Sequence, residues 1–140
     1  MQPLEVIGLD VGMKLTGLAR GNTAAKLAEP LASVKTADVL DELKQMTSKN
    51  GVDLVVVGLP RNLEGKDTKQ TTWTRQWAAQ VKQKLDVPMY WQDEALTSEL
   101  SARRKQETGN RKQGVGEHAQ AAAAILQDFL ISPEEMRVTI

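Results

Sequence analysis

Apolar residues fall in short runs broken by polar turns, and the spacing within each run sets the element it predicts. Residues 4–9 are apolar apart from Glu5, and residues 15–19 resume the run after a turn containing Gly12, which predicts two adjacent antiparallel strands. A third strand is expected over residues 31–35. Thr36 is placed to cap a helix in which Val39, Leu40, Leu43 and Met46 recur at helical spacing, with Asp38 in its first turn and Gly51 just past its end. "DLVVVGLP", residues 53–60, is short, continuous and β-branched, as suits a strand of a parallel sheet covered on both faces. Trp73, Trp77, Val81 and Leu85 fall four apart on one side of a helix, and "VPMYW", residues 87–91, reads as the next strand, with Pro88 marking an edge position. Thr97 opens a helix expected to run to about residue 106, and a last helix is expected over residues 117–131, where "AQAAAAIL" is helical by propensity alone. Strands that alternate late in the chain with helices imply an α/β domain whose later strands join in parallel through right-handed crossovers.

In such a sheet ligands bind beyond the carboxyl ends of the strands, so acids at those ends are the first candidates for chemistry. Asp10 ends the first strand. It reads either as a turn aspartate ahead of Gly12 or as a metal ligand. Asp93 and Glu94 end the fifth strand, where either could serve the first turn of the following helix or hold a cation, Glu94 being the better ligand candidate. Clustered carboxylates suit Mg2+ or Mn2+. Glu117 and His118 open the last helix, as favourable helix-end electrostatics and a structural histidine, or as further members of the acidic site.

Length and composition narrow the classes. The 140 residues suit one domain, residues 1–140, and no repeat or low-complexity tract is present. Eighteen basic and eighteen acidic side chains cancel, so any polyanion-binding surface must be local. One local basic segment exists: Arg103, Arg104, Lys105, Arg111 and Lys112 stand against the single acid Glu107, as a nucleic-acid-gripping arm or as solvated surface. The absence of cysteine excludes disulfides, thiolate catalysis and cysteine metal sites. No apolar run approaches a membrane span, and a cytoplasmic location is expected. "PRNLEGKD", residues 60–67, lacks the first glycine and the Ser or Thr of a nucleotide-triphosphate loop; it reads equally as an exposed turn built on Asn and Gly or as a segment whose Arg61, Asn62 and Lys66 reach a phosphate backbone, with Lys14 in the first turn a further candidate.

Four stretches in order, "GLDVGMKLTGLA", "DLVVVGLPRNLEG", "DEALTS" and "AAAAILQDFL", resemble the YqgF (RuvX) family of Holliday junction resolvase or pre-16S rRNA nuclease proteins. The resemblance spans nearly the whole chain. It implies an RNase H-like fold, an α/β domain with a five-stranded mixed sheet flanked by helices, the first three strands antiparallel and the last two parallel. It assigns metal-ligand roles to Asp10 and Glu94. The family's third acid, an Asp opening the last helix, falls on Gly116, Glu117 or His118 here, and Ala95 stands where the family usually has Arg. The implied reaction is hydrolysis of a phosphodiester at two cations: Asp10 bridges them, Glu94 holds one, and Glu117 or His118 serves the other or its water. The implied substrate is structured RNA at the 5′ end of pre-16S rRNA, with branched DNA second, for a monomer or homodimer without membrane attachment. Two rivals remain: a non-catalytic nucleic-acid-binding module linked to transcription, and an actin-like or sugar-kinase-like phosphotransferase, against which the one-domain length speaks.

Overall fold

The computed structural model describes residues 2–94 and 116–140. The elements in chain order are β1 (Glu5–Val11), β2 (Leu15–Asn22), β3 (Ala28–Lys35), a 3-10 turn (Thr36–Asp38), α1 (Val39–Lys49), β4 (Leu54–Leu59), α2 (Lys69–Lys82), β5 (Met89–Asp93), α3 (Glu117–Ile131), a second 3-10 turn (Glu134–Met136) and β6 (Val138–Thr139). They build one sheet of six strands in the order β3-β2-β1-β4-β5-β6. β1, β2 and β3 are antiparallel neighbours, and β4 and β5 join β1 in parallel. The first five strands therefore follow the expected arrangement. A sixth is added by the chain's tail: β6 pairs antiparallel with β5, and two residues are too few for a period-2 pattern to show in the sequence.

Alternation along the strands sorts the core into two layers. Ile7, Leu9, Val55 and Val57 face α1 and α2, while Val6, Leu54 and Val56 face α3. All six residues of β4 are buried, as a central strand covered on both faces must be. On one side Val39 and Leu43 of α1 and Ala78 and Val81 of α2 seal the sheet; on the other Ala122, Ile125, Leu126 and Phe129 of α3 do so. A buried core side chain of this size contributes roughly 1.5–3 kcal/mol, so both layers are needed.

The structure corrects four local readings. Thr36 does not cap α1: it sits in the 3-10 turn, and its hydroxyl donates inward to the Gly12 carbonyl at 2.6 Å. The Thr16 and Thr36 hydroxyls lie 2.9 Å apart, so two buried polar groups satisfy each other and tie the β1–β2 turn to the end of β3. The buried stripe of α2 runs through Thr71, Thr74, Ala78 and Val81, with Trp73 and Trp77 only partly buried along its flank. β3 begins at Ala28, ahead of the expected start, with a register shift opposite Leu18 and Ala19 that accommodates Pro30. Pro88 does not mark an edge: it stands just before β5, which lies between β4 and the short β6, and a proline ahead of the strand removes no ladder donor within it. The helix expected from Thr97 to about residue 106 lies outside the described residues.

Candidate active site

The carboxyl ends of β1, β4 and β5 meet at one end of the sheet. The parallel register pairs Leu9 with Val57 and Gly58 with Gln92, so Asp10 and Glu94 flank Gly58 on either side. Alternation then decides which way each side chain points. Val6 belongs to the α3 layer and Ile7 and Leu9 to the other, so Asp10 is carried to the α3 face. Leu54 and Val56 place Gly58 on the same face, and a Cβ added there would stand 2.5 Å from Ile125 Cδ1 of α3 and 3.2 Å from Glu94 Oε2. The Glu94 carboxylate therefore lies over a residue that has no side chain, next to the strand that carries Asp10.

The start of α3 reaches this place because of Gly17. A Cβ on Gly17 would overlap the backbone carbonyl of His118 and stand 2.6 Å from the Ala119 nitrogen, so only glycine lets the helix N-terminus settle on β2. Settled there, His118 Nδ1 lies 3.5 Å from Asp10 Oδ2. A helix N-terminus favours nearby anions, which suits a carboxylate at this point. Asp10 keeps about a quarter of its side chain exposed and His118 nearly half, so the pair is open to a ligand from solvent.

Asp93 goes to the opposite face. It follows Trp91, which packs on the α1/α2 layer, and its carboxylate accepts from Arg61 Nη1 at 2.6 Å. The same guanidinium donates to the Gly65 carbonyl and lies 3.3 Å from Asp67 Oδ1, an ion pair without hydrogen-bond alignment at Nε. Asp67 in turn sits 3.6 Å from Arg75. Consecutive acids in an extended chain point to opposite sides, and that alone separates Glu94, on the acidic face, from Asp93, in an ion-pair clamp.

Of the other sequence candidates, Glu117 is exposed in the first turn of α3, Lys14 is exposed in the β1–β2 turn, and Lys66 is exposed with its ammonium 3.8 Å from Glu64. Arg61 is committed to Asp93 and Asp67 rather than presented to solvent. Arg103, Arg104, Lys105, Arg111 and Lys112 lie outside the described residues, as does Ala95. Among the described residues no three His, Asp or Glu side chains are grouped closely enough to hold one metal ion. Asp10 and Glu94 nonetheless offer the chemistry a hard divalent cation takes: both carry carboxylate oxygens, and the lack of a side chain at Gly58 lets the Glu94 carboxylate approach the strand end. Sequence reasoning missed the Arg61 clamp and the Thr16–Thr36 pair. Their partners are 32 and 20 residues apart, beyond any local signal.

An antiparallel trio followed by two parallel strands, with acids at the ends of β1 and β5 and a helix N-terminus on the same face, defines the RNase H-like class of α/β proteins. The solved structures agree on the fold: Thermus thermophilus RuvC superposes with a TM-score of 0.64 at 15% identity over 98% of this chain and 100% of that one. RuvC of the same organism in complex with a Holliday junction substrate gives 0.63 at 18% identity, over 98% and 99%. The family described as RuvX, Holliday junction resolvase, matches residues 4–132, and the chain belongs to that family. A Shewanella oneidensis protein named "Putative pre-16S rRNA nuclease" is 33% identical over 129 residues, 90% of this chain and 92% of the relative. A Lactobacillus johnsonii protein of the same name is 30% identical over 138 residues, 91% and 95%. Among the described residues no helix is long and apolar enough to cross a membrane.

Proposed function

We propose that this chain is a divalent-metal-dependent nuclease that acts in the cytoplasm on the 5′ end of pre-16S rRNA. The observation that carries the proposal is the meeting of Asp10 and Glu94 on one face of the sheet, either side of a residue without a side chain. The names of the relatives support the RNA substrate; the family's description supports branched DNA as the alternative. Asp10 and Glu94 would hold Mg2+ or Mn2+. When bound, such a cation supplies charge stabilisation to a phosphodiester under attack and lowers the pKa of a bound water.

The chain's own groups do the remaining work. His118, 3.5 Å from Asp10, holds that carboxylate in one orientation, and the α3 N-terminus offsets its charge. The Thr36 hydroxyl, bonded to the Gly12 carbonyl, fixes the turn that directly follows Asp10. On the far face the Arg61–Asp93 pair anchors the residue before Glu94, so the end of β5 cannot swing away from β4. Lys14 and Lys66, exposed on the turns after β1 and β4, are proposed to meet phosphates. Glu117 or His118 is proposed for a second cation or its water, and the basic segment from Arg103 to Lys112 for holding the strand.

The test is cleavage of a labelled pre-16S RNA carrying its 5′ extension, beside a four-way DNA junction, each with Mg2+, Mn2+ or EDTA. Cation-dependent cut products from the RNA are expected. Cleavage of the junction alone would move the assignment to branched DNA, and tight binding of either without cutting under any condition would leave a binding module.

A further inference from the structure

Both turns that rise from the acidic end of the sheet carry a large apolar side chain in water, beside a lysine. Met13 in the β1–β2 turn is 64% exposed and precedes Lys14; Leu63 in the segment after β4 is 87% exposed and lies three residues before Lys66. An isolated exposed apolar residue needs no explanation. What distinguishes Leu63 is how firmly its turn is held. The Asn62 side-chain oxygen accepts from the backbone nitrogens of Glu64 at 3.0 Å and Lys66 at 2.9 Å, and the Asn62 and Gly65 nitrogens donate to Lys66 and Asn62 carbonyls at 3.1 and 2.8 Å. Gly65 takes φ +75°, a conformation glycine adopts freely, and its carbonyl accepts from the Arg61 guanidinium that is itself locked on Asp93. A turn braced from both sides thus presents a leucine outward, beside two charged side chains of the same turn, Glu64 and Lys66, each about three-quarters exposed. None of these bonds buries Leu63, so the bracing does not serve its packing.

We infer that Leu63, with Met13 on the turn after β1, is an apolar wedge that contacts unpaired or unstacked bases beside the scissile phosphate, while Lys66 and Lys14 meet the flanking phosphates. Apolar side chains inserted at a base step unstack it, and the bases of single strands offer apolar faces that accept such contacts whatever the sequence. The two turns follow the neighbouring parallel strands β1 and β4, so a strand laid across the carboxyl end of the sheet would pass both, its phosphates meeting the lysines and its bases Leu63 and Met13. The substrate class is therefore nucleic acid with an unpaired stretch at the cut site rather than continuous duplex. This inference rests on the proposed nucleic-acid site.

The test is fluorescence of RNA carrying 2-aminopurine next to the cleavage position, in a single-stranded and in a fully paired form, bound in Ca2+ to suppress turnover. Full-length protein is compared with Leu63→Ser, Met13→Ser and Leu27→Ser, the last a 68% exposed leucine between β2 and β3, at the opposite end of the sheet. All three variants should keep the parental melting temperature, because the side chains removed are in water. Wild type should brighten the base analogue; Leu63→Ser should lose most of the change and bind the single strand about tenfold more weakly, with Leu27→Ser unaffected. Binding of unaltered strength with an unchanged signal in Leu63→Ser would overturn the wedge and leave the nuclease reading standing. Failure of every form to bind either RNA would overturn both.

Discussion

Gly17→Ala is the substitution whose outcome the packing of α3 dictates most closely. The added Cβ would overlap the His118 carbonyl and lie 2.6 Å from the Ala119 nitrogen, where ordinary contacts begin near 3.4 Å. Both sides of the contact are backbone, so no rotamer change relieves it, and the helix must lift by about 1 Å at its first turn. Overpacking costs about 1–3 kcal/mol where side chains can yield; a backbone clash belongs at the upper end, about 3 kcal/mol. Lifting α3 also thins the contacts of Ala122, Ile125 and Leu126 with the sheet, since a gap of about 1 Å forfeits a quarter to a half of each dispersion well. For a chain this long, about 3 kcal/mol lowers Tm by about 10 °C. Gly51→Ala is the internal comparison: Gly51 has φ +71° but nothing within 4 Å, so only the left-handed backbone penalises alanine, by about 1 kcal/mol. Thermal unfolding by circular dichroism of the two variants decides between crowding and conformation. Gly17→Ala should melt well below Gly51→Ala; equal or reversed melting temperatures would refute the claim that α3 rests on the bare backbone of β2.

Three further substitutions probe the remaining parts of the site. Gly58→Ala meets the flexible tip of Ile125 and the Glu94 carboxylate, so its Tm should fall only by about 3–6 °C while cleavage and divalent-cation binding drop much further, read from melts and single-turnover rates. Arg61→Gln leaves Asp93 without its charged partner and the Gly65 carbonyl without its donor, for a loss of about 1.5–3 kcal/mol in urea unfolding and faster proteolysis between β4 and α2. Thr36→Val leaves the Thr16 hydroxyl and the Gly12 carbonyl without a partner, which should cost about 1–3 kcal/mol in the same unfolding measurement although the volume is unchanged.

Strong local periodicity made much of the fold legible. The β-branched run of β4 announced a strand buried on both faces, and α3 occupies the 15 residues from Glu117 to Ile131 expected of it. The places of Asp10 and Glu94 at the ends of β1 and β5 were legible too, because a strand end is visible in sequence. Features held by distant partners were not legible. Thr36 has the chemistry of a helix cap, but a buried hydroxyl facing it from β2 outcompeted the local role. Arg61 looks like a free cation in sequence, and only the pairing of Leu59 with Asp93 brings an acid to it. In "GLDVGMKLTG" only Gly12 read as a turn residue, and Gly17 passed as one more position of the second strand; that it admits a helix from 100 residues later depends on the third dimension.

The central claim is that Asp10 and Glu94 jointly hold a divalent cation, and its most direct measurement is Mn2+ binding by the purified protein, titrated by electron paramagnetic resonance with the variants Asp10→Asn and Glu94→Gln in parallel. The account predicts that wild type removes Mn2+ from the free-ion signal, that each variant binds about tenfold or more weakly, and that all three melt at similar temperatures. Equal Mn2+ binding by wild type and Asp10→Asn would contradict it.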